Sequence, residues 1–263
     1  MICLDKKRIV IKVGTSSLTY ENGKLNLGSM ERLVRVIADL KNSGKEIVLV
    51  SSAAITVGQN RLGLKSRPTQ TKEKQATAAV GQCDLMAMYS RLFHEYGWNV
   101  AQMLLTRDCI EDGKRRENAM NTLECLLEMG AVPIINENDT VAVEEIVFGD
   151  NDRLSAMVAA VCGADLLIIL PDIEGLFDSN PRENKNAKLI SRVDKITDEI
   201  YEISGGAGTN RGTGGMRTKI EAAEYAAKRG IDTVVMCGKE PSEMYKLFEG
   251  KKVGTLFKAE KRS

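Results

Sequence analysis

The chain has one histidine and one tryptophan, and its 263 residues include only 5 prolines. A lone histidine, His94, excludes any mechanism that needs a histidine pair. The six cysteines (Cys3, Cys83, Cys109, Cys125, Cys162, Cys237) contain no C-x-x-C pair, so a Cys/His zinc site lacks clustered ligands. They read instead as reduced thiols that serve as small apolar residues, as in a cytoplasmic protein. Neither sign of charge is in excess: 37 Lys and Arg face 36 Asp and Glu. That balance argues against a nucleic-acid partner, which calls for a basic surplus. Long apolar runs are missing too. None approaches the roughly twenty residues of a membrane span, and Asp5-Lys-Lys-Arg8 leads directly into the first strand without a signal-peptide core. A soluble, cytoplasmic protein is expected. Gly-Lys-Ser/Thr never occurs, which excludes a Walker A loop. No G-x-G-x-x-G opens a helix after the first strand, which weakens a dinucleotide-dehydrogenase reading.

What is present is a steady alternation. Short β-branched runs at Arg8–Val13, Glu46–Val50, Val100–Leu105, Val132–Asn136, Leu166–Leu170 and Thr233–Met236 read as strands, several apolar at nearly every position. Helical periods fill Met30–Asn42, Lys74–Tyr96, Arg115–Met129, Arg153–Val161 and Met216–Arg229. Gly44, Gly130, Gly163 and Gly230 each follow a helix and precede a strand, as C-terminal caps do. The pattern predicts an α/β fold: a three-layer αβα sandwich around a central, mostly parallel open sheet. Val141–Phe148 reads as a short strand-like pair, and Asp178–Lys188 as a polar excursion. His94, Trp98 and the basic group Lys114-Arg-Arg116 read as packing or solvated surface.

Ligands of open parallel sheets bind beyond the carboxyl ends of the strands. The polar segments here follow strands in that way. Lys12, near the end of the first strand, precedes Gly14-Thr-Ser-Ser17, where glycine and free N–H groups can cradle phosphate oxygens. Gly14 and Thr15 are therefore candidate phosphate contacts. One ammonium at ~4 Å and an effective dielectric of ~20 contributes on the order of 4 kcal/mol to such a contact, before desolvation. Ser51-Ser-Ala-Ala-Ile55 leads from the second strand toward a helix, as a plain N-cap or an anion contact. Asn136-Glu-Asn-Asp139 and Gly149-Asp-Asn-Asp-Arg153 bring carboxylates and amides to the crevice edge, able to orient a lysine, hold Mg²⁺ or accept an ammonium. The glycine-rich segment Gly205–Lys219 precedes a helix, where N–H groups and the helix dipole converge on an anion; a flexible linker is the alternative.

In order, these motifs resemble the amino-acid kinase family, and within it the glutamate 5-kinases. The resemblance is carried by Val10-Ile-Lys-Val-Gly-Thr-Ser16, Ile47-Val-Leu-Val-Ser-Ser-Ala-Ala-Ile55 and Gln102-Met-Leu-Leu-Thr-Arg107. It continues in Pro133-Ile-Ile-Asn-Glu-Asn-Asp139, Phe148-Gly-Asp-Asn-Asp-Arg-Leu-Ser155, Gly212–Lys219 and Val253-Gly-Thr-Leu-Phe257. It implies ATP, with Mg²⁺ held mainly by the ATP phosphates and water, and transfer of phosphate to the L-glutamate side-chain carboxylate at the start of proline biosynthesis. It implies glutamate contacts at Ser52, Asp139 and Asn151. Nucleotide contacts would fall at Pro171 and Asp172 and along Thr213, Gly214, Gly215, Met216, Arg217, Thr218 and Lys219. Catalysis would rest on Lys12 and Lys219, held in place by Asp152, with no metal ligand from the protein. It further implies one kinase domain over residues 1–263. Its N-terminal part would face the amino acid, and the part from about residue 165 the nucleotide. No C-terminal PUA domain is expected. Proline feedback and a homodimer or homotetramer complete the expectation.

Kinases of aspartate, acetylglutamate or UMP share the lysines and glycines, and a silent amino-acid sensor could keep the fold. Three positions depart from the family pattern. Ala53 and Ala54 stand where Gly-Ala is usual, making the turn beside Ser52 less permissive. Pro171 replaces a small hydroxyl residue before Asp172. Arg217 replaces a small residue and adds a cation beside the glycine loop.

Overall fold

The computed structural model describes residues 6–141, 151–181, 183–204 and 215–260. In chain order the first half runs β1 (Arg8–Val13), α1 (Thr15–Leu18), α2 (Leu27–Asn42), β2 (Glu46–Val50), α3 (Ala54–Arg61), α4 (Thr71–His94), β3 (Val100–Leu105), α5 (Arg107–Glu111), α6 (Gly113–Glu128) and β4 (Val132–Glu137). The second half runs α7 (Asn151–Val161), β5 (Leu166–Leu170), β6 (Arg192–Val193), α8 (Asp198–Ile203), α9 (Met216–Ala227), β7 (Asp232–Val235), α10 (Glu243–Phe248) and β8 (Thr255–Phe257). The strand-like pair expected over 141–148 lies outside the described residues apart from Val141.

The strands join one sheet in the order β3-β4-β2-β1-β5-β7-β8-β6. All neighbours are parallel except β7 and β8. The α/β, mostly parallel expectation therefore holds. From β1 the chain builds outward to β2, β4 and β3, then returns across β1 to start the other half at β5. The crevice between the carboxyl ends of β1 and β5 is thus the point where strand order reverses, the place such sheets reserve for ligands.

Alternation along β1 sorts its side chains. Ile9, Ile11 and Val13 join one apolar layer with α2, α4 and α10. Val10 joins the other, with α7 and α9. Side chains two apart share a face, so Lys12 points with Val10 toward α7 and α9. Lys12 sits opposite Val50 of β2 and Ile169 of β5, deep in the sheet. The four capping glycines all adopt positive φ: Gly44 at 88°, Gly130 at 76°, Gly163 at 61° and Gly230 at 78°. Each ends its helix in the left-handed turn that glycine tolerates without steric cost. Two other glycines are fixed by space. A Cβ on Gly58 of α3 would lie 1.9 Å from the Thr77 carbonyl, and one on Gly81 of α4 would lie 1.9 Å from the Ala54 carbonyl. These helices cross backbone on backbone, which sets where α3 begins.

The polar excursion at 178–188 is closed by an antiparallel bridge between Phe177 and Leu189 and by the Asp178 N–H donating to the Lys188 carbonyl. His94 is exposed, as are Lys114, Arg115 and Arg116. Trp98 packs against the core with the Lys41 ammonium 4.4 Å from its ring centroid. Among the described residues no helix is long and apolar enough to cross a membrane.

Candidate active site

Three elements far apart in sequence meet at one carboxylate. Lys12 Nζ from β1 lies 2.5 Å from Asp152 Oδ1, and Lys219 Nζ from α9 lies 2.9 Å from Asp152 Oδ2. Asp152 is 0% exposed and each lysine 6%. Burying a charge is tolerable only when it is paired, and here two ammonium groups share one carboxylate. Burial alone would raise the Asp152 carboxyl pKa, but the charges and hydrogen bonds of Lys12 and Lys219 outweigh it and hold the group well below the usual carboxylate range. Two ammonium groups against one carboxylate make the triad a favourable neighbour for an anion. Both carboxylate oxygens are already occupied by cations, which leaves Asp152 poorly suited to act as a metal ligand.

Local structure supports each member. Asp152 stands in the first turn of α7, where the helix dipole favours a carboxylate. Its own carbonyl accepts from Ser155 Oγ at 2.6 Å. Lys219 stands in the first turn of α9, behind the extended Gly215, whose carbonyl it reaches at 3.2 Å. Thr218 Oγ1 lies 3.0 Å from Asp152 Oδ2 and 2.9 Å from the Gly215 carbonyl, and donates to one at a time.

Beside the triad lies an amide cluster. Asn151 Nδ2 donates to the Ser51 carbonyl at 2.6 Å and to Asn136 Oδ1 at 2.8 Å, and it lies 3.2 Å from Ser52 Oγ. Asn136 Nδ2 in turn donates to Gln82 Oε1 at 2.8 Å, while Asn136 Oδ1 also accepts the Glu137 N–H at 2.9 Å. The buried Ser51 hydroxyl pairs with the Tyr89 hydroxyl at 2.9 Å. Burial pushes the Tyr89 phenol up, which keeps it neutral. Ser52 and Asn151, from segments about one hundred residues apart, are thus in direct contact. Asp139 stands in the half-buried turn after β4, on the same carboxyl edge.

On the β5 side, the Gly14 N–H approaches the Leu170 carbonyl at 3.4 Å, and Ser17 Oγ donates to the same carbonyl at 3.3 Å. Thr15 opens α1 and lines a polar cavity of about 420 Å³ with Thr19, Thr56, Gln59 and Asn60. Pro171 is buried, and its carbonyl accepts the Gly238 N–H at 2.6 Å, which fastens the end of β5 to the end of β7. Asp172 follows, half-buried. Met216 packs into the core layer under α9. Arg217 ion-pairs with Glu221 one turn along α9 at 3.2 Å and lies 5.8 Å from the Tyr201 ring centroid. The expected extra cation is therefore already paired on the helix surface. Thr213, Gly214, Gly149 and Asp150 lie outside the described residues.

The sequence model of the amino acid kinase family matches residues 7–237. The chain belongs to the amino acid kinase family. It is 52% identical to the glutamate 5-kinase of Clostridium perfringens over 98% of this chain and 97% of that one. It is 51% identical to that of Listeria innocua over 98% and 95%. It is 53% identical to that of Caldanaerobacter subterraneus over 95% of this chain and 67% of the longer relative. The fold matches the UMP kinase of Bacillus anthracis with a TM-score of 0.67 at 18% identity, over 97% of both chains. At that identity the match concerns the amino acid kinase fold alone.

Several residues of this site were not legible in the sequence. Gln82 and Tyr89 sit on a long helix whose pattern reads only as packing, and Asn136 stood out only within a cluster. Gly238 had one available signal, a glycine right after the carboxyl end of a strand. A Cβ there would fall 2.5 Å from Ser17 Oγ and 2.8 Å from the Leu170 carbonyl.

Proposed function

We propose that this protein transfers the γ-phosphoryl group of ATP to the side-chain carboxylate of L-glutamate, giving L-glutamate 5-phosphate for proline biosynthesis. The observation that carries the reading is the sharing of one fully buried carboxylate by Lys12 and Lys219, in a chain about half identical to glutamate 5-kinases. A carboxylate oxygen of glutamate forms the new bond to the γ-phosphorus, while the bond from phosphorus to the β,γ-bridging oxygen breaks and ADP leaves with that electron pair. The attacking carboxylate is already ionised at neutral pH, so no general base is required. Catalysis then reduces to positioning and to neutralising charge on the phosphoryl group in flight.

In this reading Lys12 and Lys219 face the transferring group, and Asp152 sets the separation between them. Gly14, Thr15, Pro171, Asp172 and the segment 213–219 hold the nucleotide; Ser52, Asp139 and Asn151 hold glutamate. Mg²⁺ bound with ATP would supply further charge neutralisation, with Lys12 and Lys219 as the protein's own cations beside it. The part of the chain before about residue 165 serves the amino acid and the rest the nucleotide, within one domain. Action in the cytoplasm, inhibition by proline and assembly into a homodimer or homotetramer belong to the same proposal.

The test is purified protein with ATP, Mg²⁺ and hydroxylamine, which traps an acyl phosphate as a hydroxamate. Glutamate should give hydroxamate and ADP in equal amounts. Turnover with aspartate, acetylglutamate or UMP but not glutamate would overturn the substrate assignment. No turnover with any of them, alongside tight glutamate binding, would favour a sensor.

A further inference from the structure

The amide cluster beside the triad has a direction. Both protons of Asn151 Nδ2 are spent inside the protein, on the Ser51 carbonyl and on Asn136 Oδ1. Asn151 Oδ1 accepts no hydrogen bond among the described residues. What Asn151 can offer a ligand is therefore an acceptor, and an acceptor suits an ammonium group and rejects a carboxylate. Ser52 has the opposite character. Its Oγ lies 3.2 Å from Asn151 Nδ2, whose two protons go to shorter partners, and the hydroxyl can donate its own hydrogen toward a carboxylate.

An asparagine amide can turn over and exchange its donor and acceptor ends at little steric cost. The polarity of Asn151 therefore depends on its neighbour. Asn136 presents Oδ1 to Asn151 because its two ends are held separately: the Glu137 N–H holds the oxygen, and Gln82 Oε1 holds Nδ2 at 2.8 Å. Gln82 Nε2 lies 3.5 Å from Gln102 Oε1, which favours the orientation that turns Oε1 toward Asn136. Asn136 is 2% exposed. Without the Gln82 acceptor a buried nitrogen loses its partner, and the orientation of Asn136 rests on the N–H groups at Oδ1 alone, so the amide is no longer fixed with Oδ1 toward Asn151.

We propose that Gln82, half-buried on α4, is a positioning residue that sets the hydrogen-bond polarity of the amino-acid site. Through Asn136 it keeps Asn151 Oδ1 facing the α-ammonium of the substrate. This rests on the glutamate-kinase reading above. It adds a neutral acceptor to the Asp139 carboxylate of the same site, and so sharpens the distinction between an amino acid and a plain dicarboxylic acid.

The experiment compares the unaltered protein with Gln82→Met, which keeps length and loses the acceptor, and Gln82→Glu, which keeps an acceptor oxygen. KM for glutamate and the inhibition constant of glutarate, which lacks the α-amino group, are measured with KM for ATP and thermal melting. Loss of one hydrogen bond to a charged group amounts to about tenfold in affinity. Gln82→Met should therefore raise KM for glutamate about tenfold and shift glutarate by less than about twofold, with KM for ATP unmoved; Gln82→Glu should restore the discrimination. Glutamate and glutarate weakening together, a Met variant equal to the unaltered protein, or a Glu variant as impaired as the Met variant would each overturn the role. So would a Met variant that fails to fold, because it would place Gln82 in stability and not in positioning. Lack of glutamate turnover in the unaltered protein is a separate outcome: it defeats the functional reading itself, and this assignment with it.

Discussion

Ala53 adopts φ 83°, ψ 4° as the N-cap of α3, and it is the one non-glycine residue with positive φ among those described. Its methyl group makes the left-handed conformation cost roughly 1–2 kcal/mol. Replacing it with glycine would relieve that cost while giving back about 0.4–1 kcal/mol through a freer unfolded chain. Ala53→Gly should therefore raise stability by about 0.5–1 kcal/mol, which urea denaturation can read; a lower denaturation midpoint would show the turn to be unstrained. The sequence alone marked this alanine as out of pattern and the turn as less permissive. It could not show that the backbone keeps the glycine conformation regardless. Arg217 teaches the reverse. As a residue in sequence it adds a cation beside a glycine loop, but a glutamate four positions on is always within reach on a helix, and Glu221 takes it.

Strands β1, β2 and β5 begin and end where their β-branched runs do, because both faces are covered and apolar content alone defines them; the half-buried edge strand β3 matches its run as well. The small elements β6, β8, α8 and α10 escaped, since two or three paired residues, or a helix of six, carry too little periodicity to stand out. The crossing of α3 and α4 was equally invisible: glycines inside helices signal weakness until a partner backbone is seen against them. Their spacing nonetheless determines where Ser52 and Ala53 sit, because the Ala54 carbonyl is the atom that Gly81 abuts. Gly81→Ala must push these helices apart at a cost of about 3 kcal/mol. It should also raise KM for glutamate more than KM for ATP. Equal effects on both substrates would show that the crossing does not position the amino-acid turn.

Across the whole molecule, distant segments converge because the sheet reverses direction at β1 and β5, and no local pattern reveals which carboxylate will meet Lys12 there. The sequence showed the lysines and the aspartate; the alternation of β1 and the packing of α7 and α9 explain their meeting. The triad also links chemistry to stability. The folded Asp152 carboxyl titrates below its unfolded value of about 3.9. Its contribution is therefore complete above that pH and is lost only as pH falls further, toward the folded value. Asp152→Asn should cost about 3–5 kcal/mol by taking the shared carboxylate charge away from two buried ammonium groups. The gap between the two proteins should stay constant from neutral pH down to about 4 and close below it. A gap that widens on acidification would contradict the assignment.

In the proposed reaction Lys12 and Lys219 act on the phosphoryl group while glutamate is held elsewhere. Single-turnover transfer from γ-labelled ATP to glutamate, measured for the unaltered protein and Lys219→Ala, tests it most directly when paired with glutamate binding by calorimetry. Transfer should slow by orders of magnitude in the variant with glutamate affinity preserved. Near-normal transfer in Lys219→Ala, or glutamate affinity lost in proportion to the rate, would contradict it.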